Sequence, residues 1–193
     1  MKSSALRIEE QRSPAEDGIW LFVLGDLIVF ALFFITFMVY RSDSVSVFQS
    51  AQQSLNTQLG TANTLALLTS SWILALGIHS ARQGAALSAR RAIWVSACLG
   101  LVFMTGKVTE YYLKLRAGVA ADETDFFMFY FVFTGIHFVH VLIGLLLLGL
   151  LALSIKTDEL GERHLRMLEG GAIYWHMVDL LWIVLFALFY LIG

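Results

Sequence analysis

Charge, proline and cysteine are all scarce in this chain of 193 residues: 15% of the residues are Asp, Glu, Lys or Arg, one is Pro and one is Cys. With a single proline, long helices can run without the kinks that its missing N–H imposes. The lone Cys98 excludes an internal disulfide and reads as a small buried hydrophobe rather than a redox centre. A formal net charge of −2 leaves no basic footprint for nucleic acid. No zinc finger, P-loop or dinucleotide fingerprint is present either.

What is abundant is apolar sequence. Hydrophobic residues make up 58% of the chain and fall into runs long enough to cross a bilayer. Five spans are expected, at 18–40, 61–82, 92–114, 126–155 and 168–192, which predicts an all-α, polytopic membrane helix bundle with five transmembrane helices. Residues 1–17 form a polar tail and 18–193 one membrane domain. The tail holds four acids and no apolar core, so it is expected to be no cleavable signal peptide. Gly25, Gly77, Gly100 and Gly144 lie inside spans and predict close helix contacts, since small residues let membrane helices approach. The Ser- and Gln-rich stretch from Arg41 to Leu59 is expected to be a mobile surface loop.

Loop charge predicts orientation. Lys2, Arg7, Arg12, Arg82, Arg90, Arg91, Lys156, Arg163 and Arg166 fall on one side, and Arg41, Lys114 and Arg116 on the other. By the positive-inside rule the N-terminus is cytoplasmic and Gly193 is on the outer, periplasmic side. Depth then follows from the helical rise of about 1.5 Å per residue. Asp26, His79, Glu169, His176 and Asp179 belong to the inner half, Asn63, Thr64, Lys107 and Glu110 to the outer half, and His137 and His140 to the middle.

Ionisable groups at membrane depth are costly and face protein or water, so each has a structural and a functional reading. Lys107 and Glu110 are three apart and can neutralise each other on one helix face. His137 and His140 share that spacing and can be metal ligands or hydrogen-bonded packing residues. Asp26 can relay protons or be a buried acid held by a partner. The Phe-rich start of the fourth span reads as a packing or lipid-facing surface. In the last span Glu169, His176 and Asp179 fall on one side of a helix, with Trp175 and Trp182 a heptad apart beside them. If Asp26, His176 and Asp179 meet across a helix interface, His176 can donate to one carboxylate and lower the cost of burying it.

Taken in order, these blocks resemble subunit III of the haem-copper oxidases. The resemblance is carried by Trp20 to Asp26 with Phe33, Phe34 and Tyr40; Asn63-Thr64 with Ser70-Ser71 and His79; Lys107, Glu110 and Tyr111; Thr134-Gly-Ile-His137-Phe-Val-His140 with Gly144; and Glu169 with Tyr174-Trp175-His176-Met-Val-Asp179-Leu-Leu-Trp182. The last two blocks together are specific. Typical members have seven helices, and this chain lacks the first two; Asp26 stands where the family usually has Glu, and Lys107 where it usually has Gln. The short form is most similar to the subunit III-like proteins associated with bacterial nitric oxide reductases (NorE type), with a short subunit of a bacterial cytochrome c oxidase as the alternative.

The resemblance implies a non-catalytic accessory subunit in a bacterial inner membrane. Its partner would be the catalytic subunit of a haem-copper reductase or oxidase, whose assembly, stability or proton supply it supports. Haem and metal would reside in the partner, none in this chain, and a structural phospholipid is compatible with the family. Six His ligands serve the catalytic subunit of such complexes, and this chain has five His in all. Two readings from other classes remain beside it: an independent small transporter or proton channel using Asp26, Lys107 and the central His residues, and a dihaem cytochrome b.

Overall fold

The computed structural model describes residues 14–155 and 160–192, with side chains from residue 18 onward. Lys2, Arg7, Arg12 and Lys156, four of the residues used to orient the chain, lie outside the described residues. The helices are α1 (Pro14–Asp43), α2 (Val45–Gln53), α3 (Thr57–Arg82), α4 (Ala86–Arg116), α5 (Asp125–Ser154) and α6 (Glu162–Phe186), and α6 passes into a π-helical turn, Ala187–Leu191. Five of them are long and apolar enough to cross a membrane: α1 from Gly18, α3, α4, α5, and α6 with its π turn. The chain is a multi-pass membrane protein.

Local chemistry sets the ends. The Asn56 side chain accepts from Leu59 N–H to cap α3, and Thr124 does the same for Phe127 N–H at α5. After α3 and α4 the chain turns at Gly84 (φ 79°) and Gly118 (φ 81°), left-handed positions that glycine adopts without steric cost. α1 is described from Pro14 onward, ahead of the expected first span at residue 18.

α3 packs on α4, α4 on α5, α5 on α6 and α6 on α3, a closed ring of four helices, while α1 lies outside it against α5 and α6. Accordingly α1 is the least buried span and α6 the most buried. A Cβ on Gly77 would sit 2.7 Å from the Ala92 Cβ, so the α3–α4 contact needs a hydrogen there. Deeper along the same contact, two turns from Gly77 on α3 and one from Ala92 on α4, the Ser70 hydroxyl donates to the Ser96 carbonyl and the Ser96 hydroxyl to the Ser70 carbonyl (2.8 and 2.9 Å), tying the two helices reciprocally.

Three expectations change. Gly25 has open space around its Cβ position, so it makes no close contact within the chain. Cys98 is exposed on the outer face of α4 rather than buried. The segment expected to be a mobile loop holds α2, whose Phe48 is buried edge-on against Phe37 and Phe126. Its Ser and Gln residues face outward and conceal this single anchor in the composition. The Phe-rich start of α5 is a packing surface, with Phe126, Phe127, Phe129 and Phe133 all buried.

Candidate functional site

The polar residues form three clusters stacked along the bundle. At the end opposite the Arg82 loop, Lys107 is 1% exposed and its ammonium donates to Glu110 Oε2 (2.8 Å), Tyr130 Oη (2.9 Å) and Tyr190 Oη (3.3 Å). All three ammonium protons are thereby used. The Tyr190 hydroxyl donates in turn to Glu110 Oε1 (2.6 Å). The rings of Tyr130 (4.7 Å), Tyr111 and Trp182 (both 5.2 Å) surround the cation, adding cation–π attraction in a desolvated place. Tyr111 is held by a hydroxyl contact of 2.6 Å to Thr134. The π turn, a wider winding than an α-helix, ends α6 with Phe189 and Tyr190 both buried.

Near mid-depth, His140 Nε2 lies 3.1 Å from Asp26 Oδ1, while His140 Nδ1 lies 2.8 Å from the Ile136 carbonyl. A carbonyl only accepts, so Nδ1 carries a proton and donates to it. Nε2 then shares a single proton with Asp26, either as imidazolium beside carboxylate or as imidazole beside carboxylic acid. Both forms are neutral as a pair, which suits membrane depth. Tyr174 Oη donates to the His140 carbonyl (3.1 Å) and steadies the same turn.

His137 points elsewhere, into the ring of four helices. It stacks on Trp182 with centroids 5.4 Å apart and meets Phe103 edge-on, and neither ring nitrogen has a hydrogen-bond partner among the described residues. Trp182 Nε1 donates to Thr64 Oγ1 (2.9 Å), and Thr64 donates to the Gly60 carbonyl. Asn63 is packed against Gly106, where a Cβ would lie 2.2 Å from Asn63 Oδ1. The two histidines diverge, one toward α1 and one inward, so their i, i+3 spacing does not bring them to one ligand.

Toward the Arg82 loop, Trp175 Nε1 donates to Ser70 Oγ (3.0 Å), and His176 Nδ1 lies 3.2 Å from Ser71 Oγ. Glu169 forms an ion pair with Arg82 at 2.8 Å. His79 Nε2 meets Gln83 Nε2 at 3.0 Å, where the amide donates. Asp179 is buried, with Oδ1 lacking a hydrogen-bond partner among the described residues. Asp26 and His176 do not meet. α1 lies against the α5–α6 edge, and the partner of Asp26 is His140 of α5, while His176 turns toward α3.

Sequence reasoning missed Tyr130 and Tyr190, which complete the Lys107 cage. Each is a lone hydroxyl in an apolar run, 23 and 83 residues from Lys107, and only the helix arrangement shows the pairing. Ser70 and Ser71 entered through the resemblance alone; small hydroxyls opposite buried indole and imidazole N–H groups were the available signal.

The family model described as cytochrome c oxidase subunit III matches residues 11–193. Among similar proteins, cytochrome c oxidase subunit 3 of Thermostichus vulcanus is 30% identical over 178 residues, covering 91% of this chain and 86% of that protein. Cytochrome bo(3) ubiquinol oxidase subunit 3 of Pseudomonas aeruginosa is 28% identical, with 91% and 84% covered. Quinol oxidase subunit 3 of Bacillus subtilis is 27% identical, with 91% and 86% covered. A match spanning all five membrane helices and every polar cluster just described places the chain in the cytochrome c oxidase subunit III family of haem-copper oxidase subunits.

Proposed function

We propose that this chain is the accessory subunit III of a bacterial haem-copper terminal oxidase, binding no haem or metal itself and stabilising the catalytic subunit that does. The observation that carries the reading is how the family-motif side chains are used. Trp175, Trp182, His140, His176, Lys107 and Glu110 each bond to another helix or to one another, as suits a scaffold. The nitric oxide reductase association rested on the chain being short. That argument weakens, because relatives named for cytochrome c and quinol oxidases are aligned over 84–86% of their own length and are therefore short as well.

Affinity purification of the tagged chain from native membranes, with mass spectrometry and haem spectra, tests the reading. Co-purification with a haem-copper subunit that consumes oxygen is expected. A partner that reduces nitric oxide would restore the denitrification reading, and isolation of the chain alone with proton flux in liposomes would support the transporter class instead.

The proposed orientation in the bacterial inner membrane places the Arg82–Arg91 loop in the cytoplasm and the C-terminus in the periplasm. A reporter active only in the periplasm is expected to give signal when fused after Gly193 and none when inserted at Gly84. The opposite pattern would invert the inner and outer assignments.

A further inference from the structure

A groove of about 450 Å³ opens between α3 and α6 near the Arg82 loop, walled by Ala75, Ile78, Ala172 and Ile173 and carrying His79, Arg82, Glu169 and His176. Half of its lining is ionisable. Arg82 pairs with Glu169, His79 with Gln83 and His176 with Ser71, yet each keeps further donor or acceptor positions that hydrocarbon would leave unsolvated and water satisfies. Its volume has room for on the order of ten waters at about 30 Å³ each.

The groove does not end on an inert wall. His176 Nδ1 lies 3.2 Å from Ser71 Oγ, and Asp179 stands one helical turn deeper on α6. Asp179 Oδ1 is buried without a hydrogen-bond partner among the described residues. Along α6, His176 lies about 10 Å and Asp179 about 15 Å beyond Glu169. The polar groups therefore descend in steps from the loop surface toward mid-membrane: Arg82 with Glu169, then His79, His176 with Ser71, and finally Asp179.

We propose that this groove is a water-filled inlet from the face of the Arg82 loop, through which Asp179 exchanges its proton with the aqueous phase by way of His176 and Ser71. The Asp26–His140 pair is separate, lying where α1 meets α5. The inlet stands on this chain's own residues and does not depend on which oxidase is the partner.

Thiol accessibility in membranes containing the full chain tests it. In a Cys98→Ser background, Ala75→Cys and Ile173→Cys line the groove, Ser88→Cys reports the loop surface, and Leu76→Cys reports the lipid face of α3 beside Ala75. A membrane-impermeant, charged methanethiosulfonate reacts with a thiolate, which requires water. Both groove thiols are expected to react from the same side as Ser88→Cys, within about tenfold of its rate and at least a hundredfold faster than Leu76→Cys. Asp179→Cys is expected to react from that side more slowly, and prior labelling of Ile173→Cys should block it. Groove thiols as inert as Leu76→Cys would overturn the inlet. Reactive groove thiols with an Asp179→Cys that labels equally well after Ile173→Cys is blocked would overturn the connection to Asp179.

Discussion

Glu110→Gln is expected to destabilise the chain by about 3–5 kcal/mol, the cost of leaving a buried charge without its counter-charge. Lys107 is 1% exposed, its ammonium enclosed by Glu110, Tyr130 and Tyr190. The two tyrosine oxygens that remain can accept hydrogen bonds but cannot neutralise a cation. Lys107→Gln is the milder change. Glu110 keeps the 2.6 Å bond from Tyr190, and it lines a pocket of about 200 Å³ with Lys114, which supplies a second cation. Combining Lys107→Gln with Glu110→Gln removes both charges and should recover much of the loss, since neutral replacements for buried pairs are often tolerated. Unfolding of the purified chain in mixed detergent micelles measures all three. Equal and additive losses for the two single changes would remove the pairing argument.

The second large effect is expected at Trp175. Its indole lies in a slot between α4 and α5: a Cβ on Gly144 would be 2.6 Å from its ring, and one on Gly100 would be 2.7 Å away. Trp175→Ala should cost about 3–5 kcal/mol through the cavity it leaves. Gly100→Ala and Gly144→Ala should each cost about 1–3 kcal/mol, because backbone on two helices must retreat from a rigid ring. These losses should not add. With the smaller ring of Trp175→Phe, Gly144→Ala is expected to cost less than it does beside tryptophan. An undiminished cost in that background would show that alanine at 144 acts on something other than the indole.

Much of the fold was legible because hydrocarbon imposes one periodicity and one length on every span. The five spans, the neutralising Lys107–Glu110 pair and the close approaches at Gly77, Gly100 and Gly144 all follow from local spacing or residue size. What spacing does not encode is which helices become neighbours and how each is rotated. Spacing alone therefore leaves unassigned both His140 as the partner of Asp26 and Tyr130 and Tyr190 as the ligands of Lys107. Gly25 carried the same sequence signal as Gly100, but it sits on the span that stands outside the ring of four. α2 was hidden for a different reason: eight of its nine residues are not buried, and a single phenylalanine fastens it.

The bond between Asp26 and His140 joins residues 114 positions apart. During translation at about 5–20 residues per second, α1 enters the membrane and waits roughly 6–23 s before the residue that completes its proton-sharing pair has even been made. Through that interval the Asp26 carboxyl has no His140 imidazole beside it, so this bond can fasten the first span to the bundle only after the helix that carries His140 has been made.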